Sequence, residues 1–132
     1  MAHTAKLSIQ KEEFNLFEFN CEFIQPMNDS GQPAGKPYGS AITFVMATPD
    51  NNNLFLHEWM SSPTEHKDGS CTFSVVDTGK ASTKTMKFYH AYCTRLREYI
   101  KEKDEQMLIE ITLHAKTITF GQNDDVVFGD NL

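Results

Sequence analysis

From Asn15 to Gln25 the odd positions Phe17, Phe19, Cys21 and Phe23 are apolar, and Glu18, Asn20 and Glu22 alternate with them. A period of two belongs to a strand with one buried face, so this stretch commits the chain to sheet. The same period returns twice. Met86, Phe88, His90 and Tyr92 alternate with Lys87, Tyr89, Ala91 and Cys93 in a strand expected from Thr85 to about Glu98. Met107, Ile109, Ile111, Leu113 and Ala115 alternate with Glu110, Thr112, His114 and Lys116 in one expected from Gln106 to Phe120. Shorter strands are expected at Lys6 to Gln10, with Leu7 and Ile9 on one face, and at Ser70 to Asp77. Lys11, Glu12 and Glu13 turn the chain after the first of these.

Ser40 to Ala47 (SAITFVMA) is different, being continuously apolar or small, as a strand covered on both sides would be. The cover is expected from PDNNNLFLHEWMSSP. Asp50 or Asn51 caps a short helix there, Leu56, Trp59 and Met60 form its apolar stripe beside Phe55, and Pro63 stops it. Five or more strands and one helix, joined mostly by short turns, predict a mainly β fold: an antiparallel sheet closed or folded over into a small barrel or sandwich. With 132 residues and no repeat or linker, residues 1–132 are read as one domain.

Composition narrows the function. A formal charge of −6 argues against nucleic acid, which needs a concentrated excess of Lys and Arg, and equally against anionic membrane. No run approaches the roughly 18 apolar residues of a spanning helix, and Met1 to Gln10 has no apolar stretch of signal-peptide length. The chain is therefore expected to be cytoplasmic when made, without membrane insertion, and the match of Asn28-Asp29-Ser30 to a glycosylation pattern is read as chance. Cys21, Cys71 and Cys93 are odd in number and widely spaced, which points to buried free thiols.

No catalytic or metal constellation emerges. A nucleophile elbow is absent, and the five histidines are scattered. His90 and Cys93 fall on opposite faces of one strand, so His90 is expected in the core or at an interface rather than on a metal. Asp50-Asn51-Asn52-Asn53 lacks the Gly and Glu of a calcium loop, with Phe55 and Ser61 at those places. Gly31, Gly35 and Gly39 are too widely spaced for a phosphate cradle, and the pairs Glu12-Glu13 and Asp124-Asp125 read as solvated turns. No enzyme activity, cofactor or metal is expected.

Charge is unevenly spread. Lys80, Lys84, Lys87, Arg95, Arg97, Lys101 and Lys103 hold seven of the twelve basic residues, while Glu12, Glu13, Glu18, Glu22 and Asp29 lie near one end of the chain and Asp124, Asp125 and Asp130 near the other. Beside plain scatter, this distribution suits a subunit that meets its own copies head to tail.

The remaining feature is a polar loop from Pro26 to Gly39, long for a compact domain and hence a candidate binding element. Pro26, Pro33 and Pro37 stiffen it, so less entropy is lost on docking. FIQPMNDSGQPAGKPYGSAITF resembles the strand, Q-P-x-x-D-x-x-G-x-P loop and returning strand of the haemolysin-coregulated proteins, in their divergent branch. LFLHEWM, Gly69 through Phe73, MKFYHAYC and MLIEITLHAKTITFG follow in that branch's order, so the resemblance runs from Ala5 to Gly121. Gln122 to Leu132 matches least.

The resemblance implies an antiparallel β-barrel with a short helix on its side and a long extended loop. It also implies a homo-hexameric ring that stacks into the inner tube of the type VI secretion apparatus. Sheath, spike and effector proteins would be its partners, with small effectors held in the ring lumen, and export would need no signal peptide. The ring-stacking loop would then comprise Pro26, Asn28, Asp29, Gly31, Pro33, Gly35, Lys36 and Pro37, and the covering helix Leu56, Trp59 and Met60. The rival is a monomeric β-barrel whose interior, lined by some of the ten phenylalanines, binds a small apolar ligand beneath the loop.

Overall fold

The computed structural model describes residues 2–35, 38–49, 53–77, 79–100 and 106–129. Among them run β1 (Ala2–Ile9), β2 (Glu12–Ile24), β3 (Tyr38–Ala47), α1 (Phe55–Ser61), β4 (Lys67–Asp77), β5 (Lys80–Ile100), β6 (Met107–Phe120) and β7 (Val126–Gly129). The strands hydrogen-bond in the order β3-β2-β1-β4-β5-β6-β7, and pairing of β3 with β6 closes the first six into a barrel. Every pairing is antiparallel. The mainly β antiparallel barrel with one short helix is thus borne out. Closure matters physically, because it removes most of the open edges that would otherwise pair with other chains.

β6 is the shared wall. Leu108 to Leu113 pair with β3, while Thr117 to Phe120 pair with β7, so β7 takes over where β3 departs. That last strand lies in the tail where the family resemblance was weakest. Val126-Val127-Phe128-Gly129 is too short for periodicity to reveal it.

Of four irregularities in register, three place an extra residue on β2 or β5 and reset the alternation on which the sequence reading rested. On β2, Leu16 pairs with Met46 and Glu18 with Val45, which leaves Phe17 as an extra residue. The inward set is therefore Phe14 and Leu16 before the bulge and Phe19, Cys21 and Phe23 after it, and Phe17 faces solvent. On β5, Phe88 and Ala91 pair with Gly69 and Lys67 of β4, so one residue is again in excess. His90 adopts φ +58° there and donates its backbone N–H to Asp68 Oδ1 at 2.8 Å. A third bulge between Cys93 and Arg95 follows. The inward set on β5 thus steps from Met86 and Phe88 to Ala91 and Cys93, then to Leu96. His90 and Tyr92, expected on the face of Met86 and Phe88, are exposed instead, and His90 stacks on His66 with ring centroids 3.6 Å apart.

The core is continuous and filled by the chain's own side chains, with Trp59, Phe44 and Phe88 the largest fully buried ones. A wall of so few strands is filled by its own side chains among the described residues, which speaks against the interior ligand site the rival reading needs. The helix differs from expectation in position. It packs against β5 rather than over β3, and Leu56 and Trp59 join the barrel's core cluster. Asp50 and Asn51, the expected caps, lie outside the described residues. Asn53 Oδ1 instead accepts the Phe55 N–H at 3.1 Å, and Ser62 turns extended, as a residue before proline prefers.

Candidate assembly surfaces

Antiparallel connectivity sorts the turns onto two ends of the barrel. One end, here the helix end, carries the β1–β2 turn, α1 and the connection from β5 to β6. The opposite end, the loop end, carries the β2–β3 loop, the β4–β5 turn and the β6–β7 turn.

At the loop end the chain from Pro26 to Ala34 is tied back on itself. Ala34 donates its N–H to the Pro26 carbonyl at 2.8 Å, Met27 and Pro33 form a β-bridge, and Asn28 N–H bonds the Gln32 carbonyl at 2.8 Å. The excursion is thus a small hairpin that prolongs the barrel wall. Asn28 organises its tip, because its Oδ1 accepts the N–H groups of both Ser30 and Gln32 at 3.0 Å, and its carbonyl takes the Gly31 N–H at 3.0 Å. Gly31 holds φ +78°, a conformation that other residues adopt only with strain. Gly35 sits against the ring of Pro26, where an added Cβ would lie 3.4 Å from Cγ.

Of the residues singled out in the sequence, Pro26, Asn28, Asp29, Gly31, Pro33 and Gly35 are brought together in this exposed hairpin, while Lys36 and Pro37 lie outside the described residues. Leu56 and Trp59 are buried far from it, and Met60 points outward on the same helix. Trp59 Nε1 donates to the Glu65 carbonyl at 3.0 Å, and the Glu65 carboxylate meets the buried Lys67 ammonium at 2.8 Å. That ammonium also lies 4.8 Å from the Phe55 ring centre, so its buried charge has both a carboxylate and a ring face beside it.

The β6–β7 turn is pinned to β5. Tyr89 Oη and Thr119 Oγ1 both donate to Asp124 Oδ1, at 2.9 and 2.6 Å, and Lys87 Nζ donates to the Gln122 carbonyl at 2.8 Å. Those two hydroxyls, Thr119 first, hold the Asp124 carboxyl below the usual carboxylate range. Burial, then the neighbouring Asp124 carboxylate, raises the Tyr89 phenol.

The basic residues are partly committed within their own copy. Arg97 bonds Glu110 at 3.1 Å with Arg95 4.0 Å from the same carboxylate, and Lys84 lies over the Phe120 ring. The Lys80, Lys101 and Lys103 side chains lie outside the described residues. Among the described residues no three His, Cys, Asp or Glu side chains converge as a metal site requires. The cysteines are free; burial pushes the Cys71 thiol up to about 12 and that of Cys93 to about 11.

Sequence reasoning missed the outward turn of Phe17. Its signal was the apolar doublet Leu16-Phe17, which no strict period-two strand accommodates on one face.

The chain is thus a closed antiparallel barrel with a helix at one end and an ordered hairpin at the other. The sequence matches the family of haemolysin coregulated proteins, Hcp or TssD, over residues 1–126, and the chain belongs to that family. Its members are structural tube proteins of type VI secretion. No curated protein matches the chain. Among solved structures it is similar to Hcp1 from Flavobacterium johnsoniae, with TM-score 0.76 and 21% identity over 96% of this chain and 99% of that one. The secreted protein Hcp3 from Pseudomonas aeruginosa gives 0.68 and 12%, covering 98% of both chains. A chain of the six-fold symmetrised baseplate of the anti-feeding prophage gives 0.54 and 8%, covering 90% of this chain and 91% of that one. At such identities the likeness concerns the fold. Among the described residues no helix is long and apolar enough to cross a membrane.

Proposed function

We propose that the chain is an inner-tube subunit that closes into hexameric rings, that the rings stack through the β2–β3 hairpin, and that their lumen carries effectors out of the cell. Membership of the tube-protein family over residues 1–126 is the observation that carries this reading. The stiff hairpin supports the stacking step, since a loop ordered before contact loses less entropy on docking. The six-fold symmetry of the prophage baseplate, which holds a similar fold, supports the ring number.

Native mass spectrometry of the purified protein under reductant tests the ring: six times the chain mass is expected, and a monomer at micromolar concentration contradicts it. Replacing Asp29 to Lys36 with a short Gly-Ser link tests the stacking step. Rings of unchanged mass that no longer form stacks in electron micrographs are expected, whereas loss of the rings themselves would place the hairpin in the ring contact.

A further inference from the structure

Between β1 and β2 the barrel wall is hydrogen-bonded over part of its length. Lys6 to Ile9 pair with Glu12 to Asn15, and among the described residues the two strands pair no further. Beyond that point β1 keeps β4 on its other side as far as Ala2, and β2 keeps β3 from Leu16 to Ile24. They part at the bulge of Phe17, since an extra residue bends the strand that carries it. Two edges therefore face each other across a slot, with the backbone N–H and C=O groups of alternate residues turned into it. A cavity of about 280 Å³ lies in the slot, lined by Thr4 and Ala5 of β1, Leu16 to Phe19 of β2 and Phe73 of β4. The rings of Phe19 and Phe73 meet there with centroids 4.4 Å apart and pack on the core, which gives the slot an apolar floor. On the outer face of the β2 edge Glu18, Asn20 and Glu22 are exposed, and Lys6 stands at the closed end opposite Asn15.

We propose that this slot takes an extended segment of another protein, added to β2 as an antiparallel strand, with apolar side chains turned onto Phe19 and Phe73 and Lys or Arg turned outward beside Glu18 and Glu22. The backbone selects the class of partner. A row of N–H and C=O groups at strand spacing is matched by a second backbone in extended form, not by a small ligand. The floor sets one face of that segment, because successive residues of a strand point to opposite sides. Charge sets the other, since cross-strand neighbours of opposite sign attract and like charges repel. Two β2 edges pairing antiparallel about Asn20 would set Glu18 of one copy against Glu22 of the other, so this edge is poorly suited to its own duplicate. The fitting partner carries basic residues at every second place. The assignment goes beyond the tube reading and does not rest on it.

The probe is a capped, fluorescently labelled peptide of about nine residues alternating valine and lysine, the length of an ordinary strand. It is titrated into the full-length protein in about 0.15 M salt, so that long-range attraction to the acidic chain is screened. A counterpart N-methylated throughout keeps the charge and the side chains but has no backbone donor. The unmodified peptide is expected to bind about tenfold more tightly than the counterpart. Glu18→Lys, at an exposed site, is expected to weaken it by about threefold. In amide exchange the peptide should slow every second amide from Phe17 to Ile24 and leave Leu108 to Leu113 of β6, already paired with β3, unchanged. Equal binding of the two peptides, no binding, or unaltered affinity in Glu18→Lys overturns the assignment. So do edge amides that exchange slowly without peptide, because a second copy then covers the slot. Native mass spectrometry of the same sample scores ring formation separately and bears on the tube reading alone.

Discussion

At the scale of single residues, stability concentrates where the helix meets the barrel. Trp59 is fully buried, and its one polar atom is satisfied by the Glu65 carbonyl, so both shape and hydrogen bond are used. Trp59→Ala is expected to cost about 3–5 kcal/mol through the cavity it leaves. Trp59→Phe, which fills most of the space but orphans the carbonyl, should cost about 1–3 kcal/mol. Urea titration followed by circular dichroism separates the two; a Trp59→Phe midpoint equal to that of the unaltered protein would mean that the indole N–H contributes nothing. Gly69 is a second such point, because an added Cβ would stand 2.5 Å from Phe88 Cζ and 2.8 Å from the Ser8 carbonyl oxygen. A backbone oxygen cannot step aside as a flexible side chain can, and Gly69→Ala is expected to lower the same midpoint by about 1–3 kcal/mol.

Among elements, β7 depends on a turn rather than on its own length. Four residues pair with β6 on one side, and the turn before them is fixed by Asp124 accepting from Thr119 and Tyr89. Because the folded carboxyl titrates below its ordinary value near pH 3.9, the stabilisation it supplies is present above that value and lost as pH falls through the lower, folded one. Amide exchange of Val126 to Phe128, corrected for intrinsic rate, should stay slow from pH 7 to 5 and quicken below about pH 4. Asp124→Asn should quicken it at neutral pH and flatten the acid response. The sequence carried the longer elements well: β2, β5 and β6 were legible in their alternation because each buries one face. It concealed the bulges, since at Phe17, His90 and Thr94 one inserted residue exchanges inside for outside without altering composition. The helix was visible in Leu56 and Trp59 but its seat on β5 was not, because an apolar stripe names no partner. For the hairpin, Asn28 stood in the sequence as one polar residue among several, and its two accepted N–H groups depend on a turn that its polarity alone does not specify.

For the whole molecule, the proposed ring would tie stability to concentration. A subunit that associates only when folded gains stability by mass action, so the melting temperature should climb by a few degrees over a hundredfold increase in protein. A constant melting temperature in calorimetry would indicate a chain that melts as a monomer. Salt offers a weaker handle than the sequence suggested. Arg97 and Arg95 already share Glu110, and Lys87 is engaged by the Gln122 carbonyl, so these three are less free to steer neighbours in the proposed stack. Stack length measured by light scattering is expected to fall only modestly between low salt and 0.15 M, where exposed charges are screened beyond about 8 Å.

The ordered hairpin at one end of the barrel has a further consequence, if rings stack through it as proposed, in the language of polymer chemistry. A body with one donor end and one acceptor end is a bifunctional monomer, and its chains grow without limit until something consumes an end. A ring assembled from hairpin-less copies keeps its acceptor but has lost its donor, which makes it a monofunctional chain stopper. Adding such rings to intact ones should shorten the product in proportion to their mole fraction. A small minority of altered subunits would then truncate tubes that are otherwise built of normal ones.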